Sequence, residues 1–358
     1  MSRPDAALRN FLFKWVFSTV LGAVLLWLAF RGEDWSDFFV RLEKVDVSLL
    51  WTYGLLFAIS HVVRIVRWGV LVRALGPIHW RDIVSAGAIG YLCITVFPLR
   101  LGELVRPYLV RGKGGVSGTG ALATVVVERV IDGVLFVALF FVFISFLPPN
   151  GNPKVDAVKL SGYVAGAVFL GALLVLIGGY VRRQATVELI RSIGNRIHAG
   201  TTVRVVRVLD AFLDGLKILP DKRRILWFVV LTILYWAIQG VGMKIMGDAV
   251  NIRDLSYPGG FALLAILVVG IMIPGGPGMT GTFELALAAG FSLLLLSPES
   301  QGNITLYTIM LHVVQLVVQV IVGLPYLILP HARLSGAVTV ADDPDGPDAP
   351  EGNPPPNR

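Results

Sequence analysis

PLRLGELVRP, residues 98–107, places Arg100, Glu103 and Arg106 between two prolines in the middle of apolar sequence. SAGAIGYLCITVF runs up to it, and ALATVVVERVIDGVLFVALFFVF follows a short basic turn later. A charged, proline-bracketed, glycine-containing break is out of place there unless the fold protects it. Its reading therefore sets the topology of the whole chain.

The chain has 358 residues, 55% of them hydrophobic and 15% charged. Soluble domains carry about 25% charged residues, so this composition is that of an integral membrane protein. The net charge of +7 is read first as a report on orientation, since basic loops stay on the cytoplasmic side; no aromatic-interleaved basic motif points to nucleic acid. The one cysteine, Cys93, sits in an apolar run and cannot form an intrachain disulfide.

A spanning helix needs about 20 mostly apolar residues. Segments 11–30, 48–73, 119–147, 160–181, 225–246 and 303–329 meet that length. The first is too long for a signal-peptide core, and no small-x-small site follows it, so it is read as a retained anchor. Segments 83–112 and 258–296 are different. Each has an apolar stretch, a Pro/Gly break and a second short helical piece.

Charge resolves their direction. Segment 182–224 holds ten Lys and Arg, against two in 148–159, one in 247–257 and none in 297–302. The first is therefore expected in the cytoplasm and the other three outside. Counting spans outward from there puts both ends of 83–112 on the cytoplasmic side and both ends of 258–296 outside. Each must enter and come back. The order span, broken hairpin, span then occurs twice with opposite topology, the pattern of inverted-repeat transporters. The expected fold is an all-α polytopic membrane protein, an inverted repeat with two re-entrant broken-helix hairpins. Residues 1–335 form its single transmembrane domain, with 182–224 a cytoplasmic helical segment. Residues 35–46 have the spacing of a short interfacial helix, and 336–358 are an acidic, proline-rich disordered tail. Both termini are expected in the cytoplasm, the protein being a multi-pass component of a prokaryotic cytoplasmic membrane.

Non-helical backbone at membrane depth persists only where protein or a water-filled cavity covers it, and a charge at a helix centre costs about 2.5–3.5 kcal/mol. Arg100, Glu103 and Arg106 are therefore expected to face a polar cavity or one another; the competing reading is a cytoplasmic loop with its arginines at the interface. In VERVID, 127–132, Glu128 and Asp132 share a helix face with Arg129 beside them. In IPGGPGMTGTFE, 273–284, Pro274 and Pro277 break the helix while Gly275, Gly276 and Gly278 allow tight backbone. A new helix starts near Thr280–Thr282 with Glu284 in its first turn, either an anion site at a helix start or an ordinary cap. Pro98 and Gly102 mark the other break. His61, Arg64 and Arg67 recur every three residues along 48–73; Arg64 and Arg67 are headgroup or cavity candidates, with snorkelling of Arg67 and Arg73 as the competing reading. His312, Gln315 and Gln319 are expected to bond between helices. No HExxH, Cys/His cluster, P-loop or GxSxG is present, so no metal, cofactor or catalytic residue is expected.

These stretches carry a resemblance. RIVRW at 64–68, FPLRLGELVRPYLV at 97–110, VVVERVIDG at 125–133 and IPGGPGMTGTFE at 273–284, in that order, resemble the lysylphosphatidylglycerol synthase/flippase transmembrane family over roughly 10–335. The resemblance implies a lipid flippase fold with two facing hairpins. It places Arg100, Glu103 and Arg106 in the first hairpin motif, Glu128, Arg129 and Asp132 on the helix after it, and Glu284 in the second hairpin. The synthases' soluble aminoacyl-transferase domain has no counterpart in these residues, which argues against lipid aminoacylation and leaves the headgroup open. The expected function is movement of a phospho- or aminoacyl-phospholipid between leaflets, with membrane lipids as partners and a homodimer left open. A membrane-embedded transferase on lipid-linked substrates and a non-transporting assembly protein are the alternatives.

Overall fold

The computed structural model describes residues 3–97, 102–144, 153–195, 199–216, 221–273, 275–294 and 296–328. Pro98, Arg100, Pro274 and the 336–358 tail lie outside them. The described residues form fourteen α-helices and no strand. They are α1 (Arg3–Phe30), α2 (Trp35–Leu42), α3 (Val47–Val72), α4 (Trp80–Val96), α5 (Val105–Val110), α6 (Gly118–Ile144), α7 (Pro153–Val181), α8 (Arg183–Asn195), α9 (Ala199–Gly215), α10 (Lys222–Ala249), α11 (Tyr257–Gly270), α12 (Thr282–Phe291), α13 (Pro298–Gly302) and α14 (Ile304–Ile328).

Among the described residues four helices are long and apolar enough to cross a membrane: α3, the Gly162–Val181 part of α7, α10 and α14. The pair Trp15–Phe30 and Trp35–Leu42, bent by 85° between them, makes a fifth if counted as one broken span. Sharp capping sets the boundaries. Asp46 accepts the amides of Ser48 and Leu49 to start α3, which at 26 residues is about 39 Å long. Asp34 does the same for α2, the short helix expected at the interface. The expected span 119–147 falls on α6, which is 27 residues long. Every 18-residue stretch of α6 contains Glu128, Arg129 and Asp132, so it is the charges, not its length, that set it apart from the apolar spans. The described residues of segment 182–224 form the amphipathic pair α8 and α9 and the first turn of α10, with Arg183 Nε joining the pair by donating to Asp210 at 3.0 Å.

Both broken segments fold as antiparallel helical hairpins. In the first, α5 lies back along α4. A Cβ placed on Gly102 would come 2.2 Å from the Cys93 carbonyl carbon, and one on Gly90 would come 2.1 Å from Arg106 Cγ. The feet of this hairpin are joined by Lys113 Nζ, 3.3 Å from Asp82 Oδ1. In the second, α12 lies back along α11, and a Cβ on Gly270 would come 2.3 Å from that of Ala286. Its feet are also joined by a carboxylate. Asp254 accepts the Ser297 amide at 2.7 Å and the Ser300 hydroxyl. Burial pushes the Asp254 carboxyl up, but the hydrogen bonds from Ser300 and Ser297 outweigh this and hold it below its usual value.

The packing is reciprocal between the halves. α3 lies along α10; α4 packs on α14 as α11 packs on α6; α5 packs on α6 as α12 packs on α14. The turn of the second hairpin also meets the end of α4. The 3₁₀ turn Pro277–Met279 contacts α4, a Cβ on Gly278 would lie 3.6 Å from the Thr95 carbonyl, and Met279 packs on the core formed by Trp68, Tyr91 and Ile94.

Candidate functional site

α3, α5 and α6 bring the charged candidates together around one residue, Arg67, which is 0% exposed. Its Nη2 donates to Glu128 Oε1 at 2.7 Å and to Asp132 Oδ2 at 3.0 Å, and its Nη1 bonds Asp132 Oδ1. Nη1 also reaches Thr232 Oγ1 on α10 at 3.3 Å. The i, i+4 spacing of Glu128 and Asp132 is what lets one guanidinium take both carboxylates. Snorkelling of Arg67 is thereby corrected: fixed by two carboxylates and a threonine, it does not extend toward a headgroup layer.

Arg106 completes the network from the first hairpin. It too is 0% exposed. Its Nη1 lies 3.1 Å from Glu128 Oε2 and donates to Tyr91 Oη at 2.9 Å. The PLRLGELVRP break is thus not a solvated loop at Arg106; the charge is met by a carboxylate on the next helix. Glu103 reaches Arg129, its Oε2 3.8 Å from Arg129 Nε, and Arg129 Nη2 is 3.6 Å from Glu128 Oε1. With its side chain 33% exposed, Arg129 is where the cluster meets the surface. Arg64 packs its guanidinium carbon 3.9 Å from the Tyr91 ring centroid and 5.5 Å from that of Tyr235, a cation–π arrangement.

Four guanidinium groups, of Arg64, Arg67, Arg106 and Arg129, face three carboxylates, of Glu103, Glu128 and Asp132. With the acids ionised, one positive charge is left over. Donors are left over as well: among the described residues Arg64 Nε, Arg67 Nε, Arg106 Nε and Nη2, and Arg129 Nε and Nη2 are buried without a hydrogen-bond acceptor, against the single cluster acceptor Glu128 Oε2 without a hydrogen-bond donor. Buried donors of this kind are normally satisfied. An excess of positive charge and unmet N–H groups is the chemistry of an anion site, and guanidinium geometry suits phosphate.

Glu284 is not part of that cluster. It lies in the first turn of α12, where its Oε2 accepts the Gly281 amide at 2.6 Å and its Oε1 meets His312 Nδ1 at 2.6 Å. Gly281 holds φ +90° and Gly278 φ +65°, a backbone that favours glycine. Gly276 donates its amide to the Thr280 carbonyl at 3.0 Å, closing the loop that Gly275 and Pro277 also shape. The polar residues of α14 bond between elements as expected. His312 joins Glu284, Gln315 Nε2 donates to Tyr53 Oη at 2.8 Å, and Gln319 pairs with Thr95.

Sequence reasoning missed Tyr91, Thr232 and Tyr235 as members of the site. Each is an ordinary residue on an apolar helix, and only the packing of α4 and α10 on α3 gives it a role.

Residues 15–323 match the family described as the Lysylphosphatidylglycerol synthase TM region. A protein of Haloferax volcanii named Glycosyltransferase AglD is 23% identical over 363 residues, which cover 94% of this chain and 57% of that protein. The chain thus spans little more than half the length of that relative. No solved structure matches the chain.

Proposed function

The chain belongs to the lysylphosphatidylglycerol synthase TM region family, and on that premise we propose that it moves a charged-headgroup lipid, phospho- or aminoacyl-phospho-, between the leaflets of a membrane. The observation that carries this reading is the buried cluster with one guanidinium in excess and unmet donors on Arg64, Arg106 and Arg129. Arg106 and Arg129, with Arg100 beyond the described residues, hold the lipid phosphate. Glu103, Glu128 and Asp132 balance their charge between lipids or receive a cationic headgroup.

The two helical hairpins enter the membrane from opposite faces as halves of an inverted repeat. Support comes from their joined feet, the contact of the second hairpin's turn with α4 and the reciprocal packing of the two halves. The basic segment 182–224 and both termini lie in the cytoplasm, and the membrane is the cytoplasmic one. With no nucleotide-binding motif in the sequence, a gradient or downhill scrambling supplies the energy.

The test is dithionite quenching of labelled lipids in liposomes, comparing wild type with the double variant Glu103→Gln, Arg106→Gln. Extra quenching in wild type alone is expected. Equal quenching in both would remove the cluster from the lipid path, and none across several headgroups would sink transport.

A second reading is favoured by the name of the Haloferax volcanii relative: a membrane-embedded transferase acting on lipid-linked substrates. Its acid–base residues would come from Glu128 and Asp132. Both are tied to Arg67, a poor setting for proton transfer. Product formed by purified protein and abolished by Asp132→Asn would favour it.

A further inference from the structure

Glu284 and His312 stand apart from the arginine cluster, and their geometry fixes a proton. His312 Nε2 lies 2.9 Å from the Gly278 carbonyl oxygen. A carbonyl only accepts, so Nε2 carries hydrogen. Nδ1 then faces Glu284 Oε1 at 2.6 Å. Two lone pairs do not approach to that distance, so a second proton lies between them. The pair is therefore loaded. It is either imidazolium with carboxylate or imidazole with carboxylic acid, and both forms contain the same atoms and the same net charge of zero.

The bed around the pair offers no other compensation. Both side chains are buried, Glu284 at 4% and His312 at 6% exposed. Phe283 stacks on the imidazole, with centroids 4.2 Å apart. Of the elements packed on α12, α14 and the turn between the hairpins, α1 has no titratable residue from Trp15 to Phe30 and α11 none after Tyr257. α4 brings Tyr91 and Cys93 nearby, with Arg81 and Asp82 at its far end; α3 brings Tyr53, His61, Arg64 and Arg67. α10 brings Tyr235, Lys244 and Asp248, the last two paired with each other, with Lys222, Arg223 and Arg224 in its first turn. α2, α13 and the turn before α2 bring Asp37, Arg41, Glu299 and Glu33 to the start of α14, about two turns from His312; α14 itself adds Tyr307 and Tyr326. Among the described residues the only ion pair that either member makes is with the other.

The pair also holds the tip of the second hairpin at both ends. Its imidazole takes the Gly278 carbonyl and its carboxylate takes the Gly281 amide. That tip rests on the first hairpin at Thr95. We propose that Glu284 and His312 form a one-proton site whose loading docks the second hairpin's tip, so that lipid movement is coupled to movement of a proton. Release sends the shared proton to water and leaves neutral imidazole, protonated at Nε2, beside a carboxylate. The Nδ1–Oε1 bond is lost, and an uncompensated charge is left in an apolar bed, which is unfavourable. The tip then keeps one bond to α14, from Nε2 to the Gly278 carbonyl, and parts from α4 more readily. A headgroup at the arginine cluster and a proton at this pair would thus alternate across the one contact between this turn and α4.

This inference rests on the transport reading, and the test separates the two. Full-length protein in proteoliposomes is given a tracer of labelled anionic phospholipid, with and without a pH gradient. For one proton per lipid, the equilibrium ratio between leaflets shifts about tenfold per pH unit in wild type. Glu284→Gln is a permanently loaded mimic: its amide can donate to Nδ1 and accept from Gly281. It is expected to keep the fold and lose the shift. Should it not fold, His312→Gln, which can still donate to the Gly278 carbonyl, serves the same comparison. A nitrogen NMR spectrum of labelled histidine, with His312 assigned by its absence in His312→Gln, should show Nε2 protonated and Nδ1 in a strong hydrogen bond. Wild type that moves lipid without regard to the gradient, a variant that shifts as wild type does, or an unprotonated Nε2 would each overturn the coupling. Wild type that moves no lipid at any pH would overturn transport itself, and the coupling with it.

Discussion

The stem of Arg106 lies against bare backbone at Gly90: a methyl group there would come 2.1 Å from Arg106 Cγ and 3.0 Å from its Cδ. A glycine on α4 is thus the seat of a charge carried by the first hairpin's return helix. Gly90→Ala should displace the guanidinium from Glu128 and Tyr91 and reduce labelled-lipid movement as far as Arg106→Gln does. Because both changes act through one side chain, the double variant should be no worse than either single one. Additive losses in the quenching assay would show that Gly90 matters for some other reason.

Arg67 is the hub of the cluster, and its removal takes the guanidinium from Asp132 and leaves Glu128 with Arg106 and Arg129 alone. Breaking one side of a buried ion pair costs about 3–5 kcal/mol. Arg67→Ala should therefore lower the thermal midpoint in detergent sharply. Asp132→Asn should cost less, because Glu128 still takes Arg67 Nη2 and the amide can still accept. A melt in which Asp132→Asn is the worse of the two would place the main burden of the network on Asp132.

How much of this was legible in the sequence follows from what each pattern encodes. Glu128 and Asp132 could be placed on one face because four residues make about one turn. The hairpins could be inferred because Pro and Gly interrupt apolar runs at matching places in the two halves. The partner of Glu128 could not be read, because Arg67 is 61 residues away and its spacing from His61 and Arg64 fits an interfacial stripe equally well. The Glu284 cap was legible from its place after Thr282, whereas its second bond, to His312 on α14, depends on how α14 meets α12. Charge periodicity reports a face; it does not report what the face meets.

Gly22 on α1 gives a backbone test of the second hairpin's tip. A Cβ there would come 2.8 Å from Gly276 Cα and 3.1 Å from the Thr280 carbonyl, and backbone cannot step aside as a flexible side chain can. Gly22→Ala should push the 276–281 turn away from α1 and reduce lipid movement, at a stability cost of roughly 1–3 kcal/mol from overpacking. Gly171→Ala on α7 is the internal comparison. Nothing lies within 4 Å of its Cβ, so it should raise helix stability by up to about 1 kcal/mol and leave transport unchanged. Equal transport in the two variants would show that α1 does not set the position of the tip.

At the foot of the second hairpin, the sign of a pH effect can be worked out from Asp254. Burial raises its carboxyl, but the bonds from Ser300 and Ser297 prevail and the folded value lies below the usual one. Its contribution is therefore fully present above the unfolded value of about 3.9 and is lost as the pH falls from there through the folded value. Exchange of the Ser297 amide, corrected for its intrinsic pH dependence, reads this directly, since that N–H donates to Asp254 Oδ2 at 2.7 Å. Protection should drop roughly tenfold on acidification through that window, the loss of one charge-assisted bond at an exposed site. Asp254→Asn, which keeps an acceptor without a titrating charge, should show weaker protection that no longer varies with pH. Asp254→Ala should show almost none. If protection in wild type stays level at every acid pH at which the protein remains folded, the two feet are held by α13 packing on α14 rather than by this carboxylate.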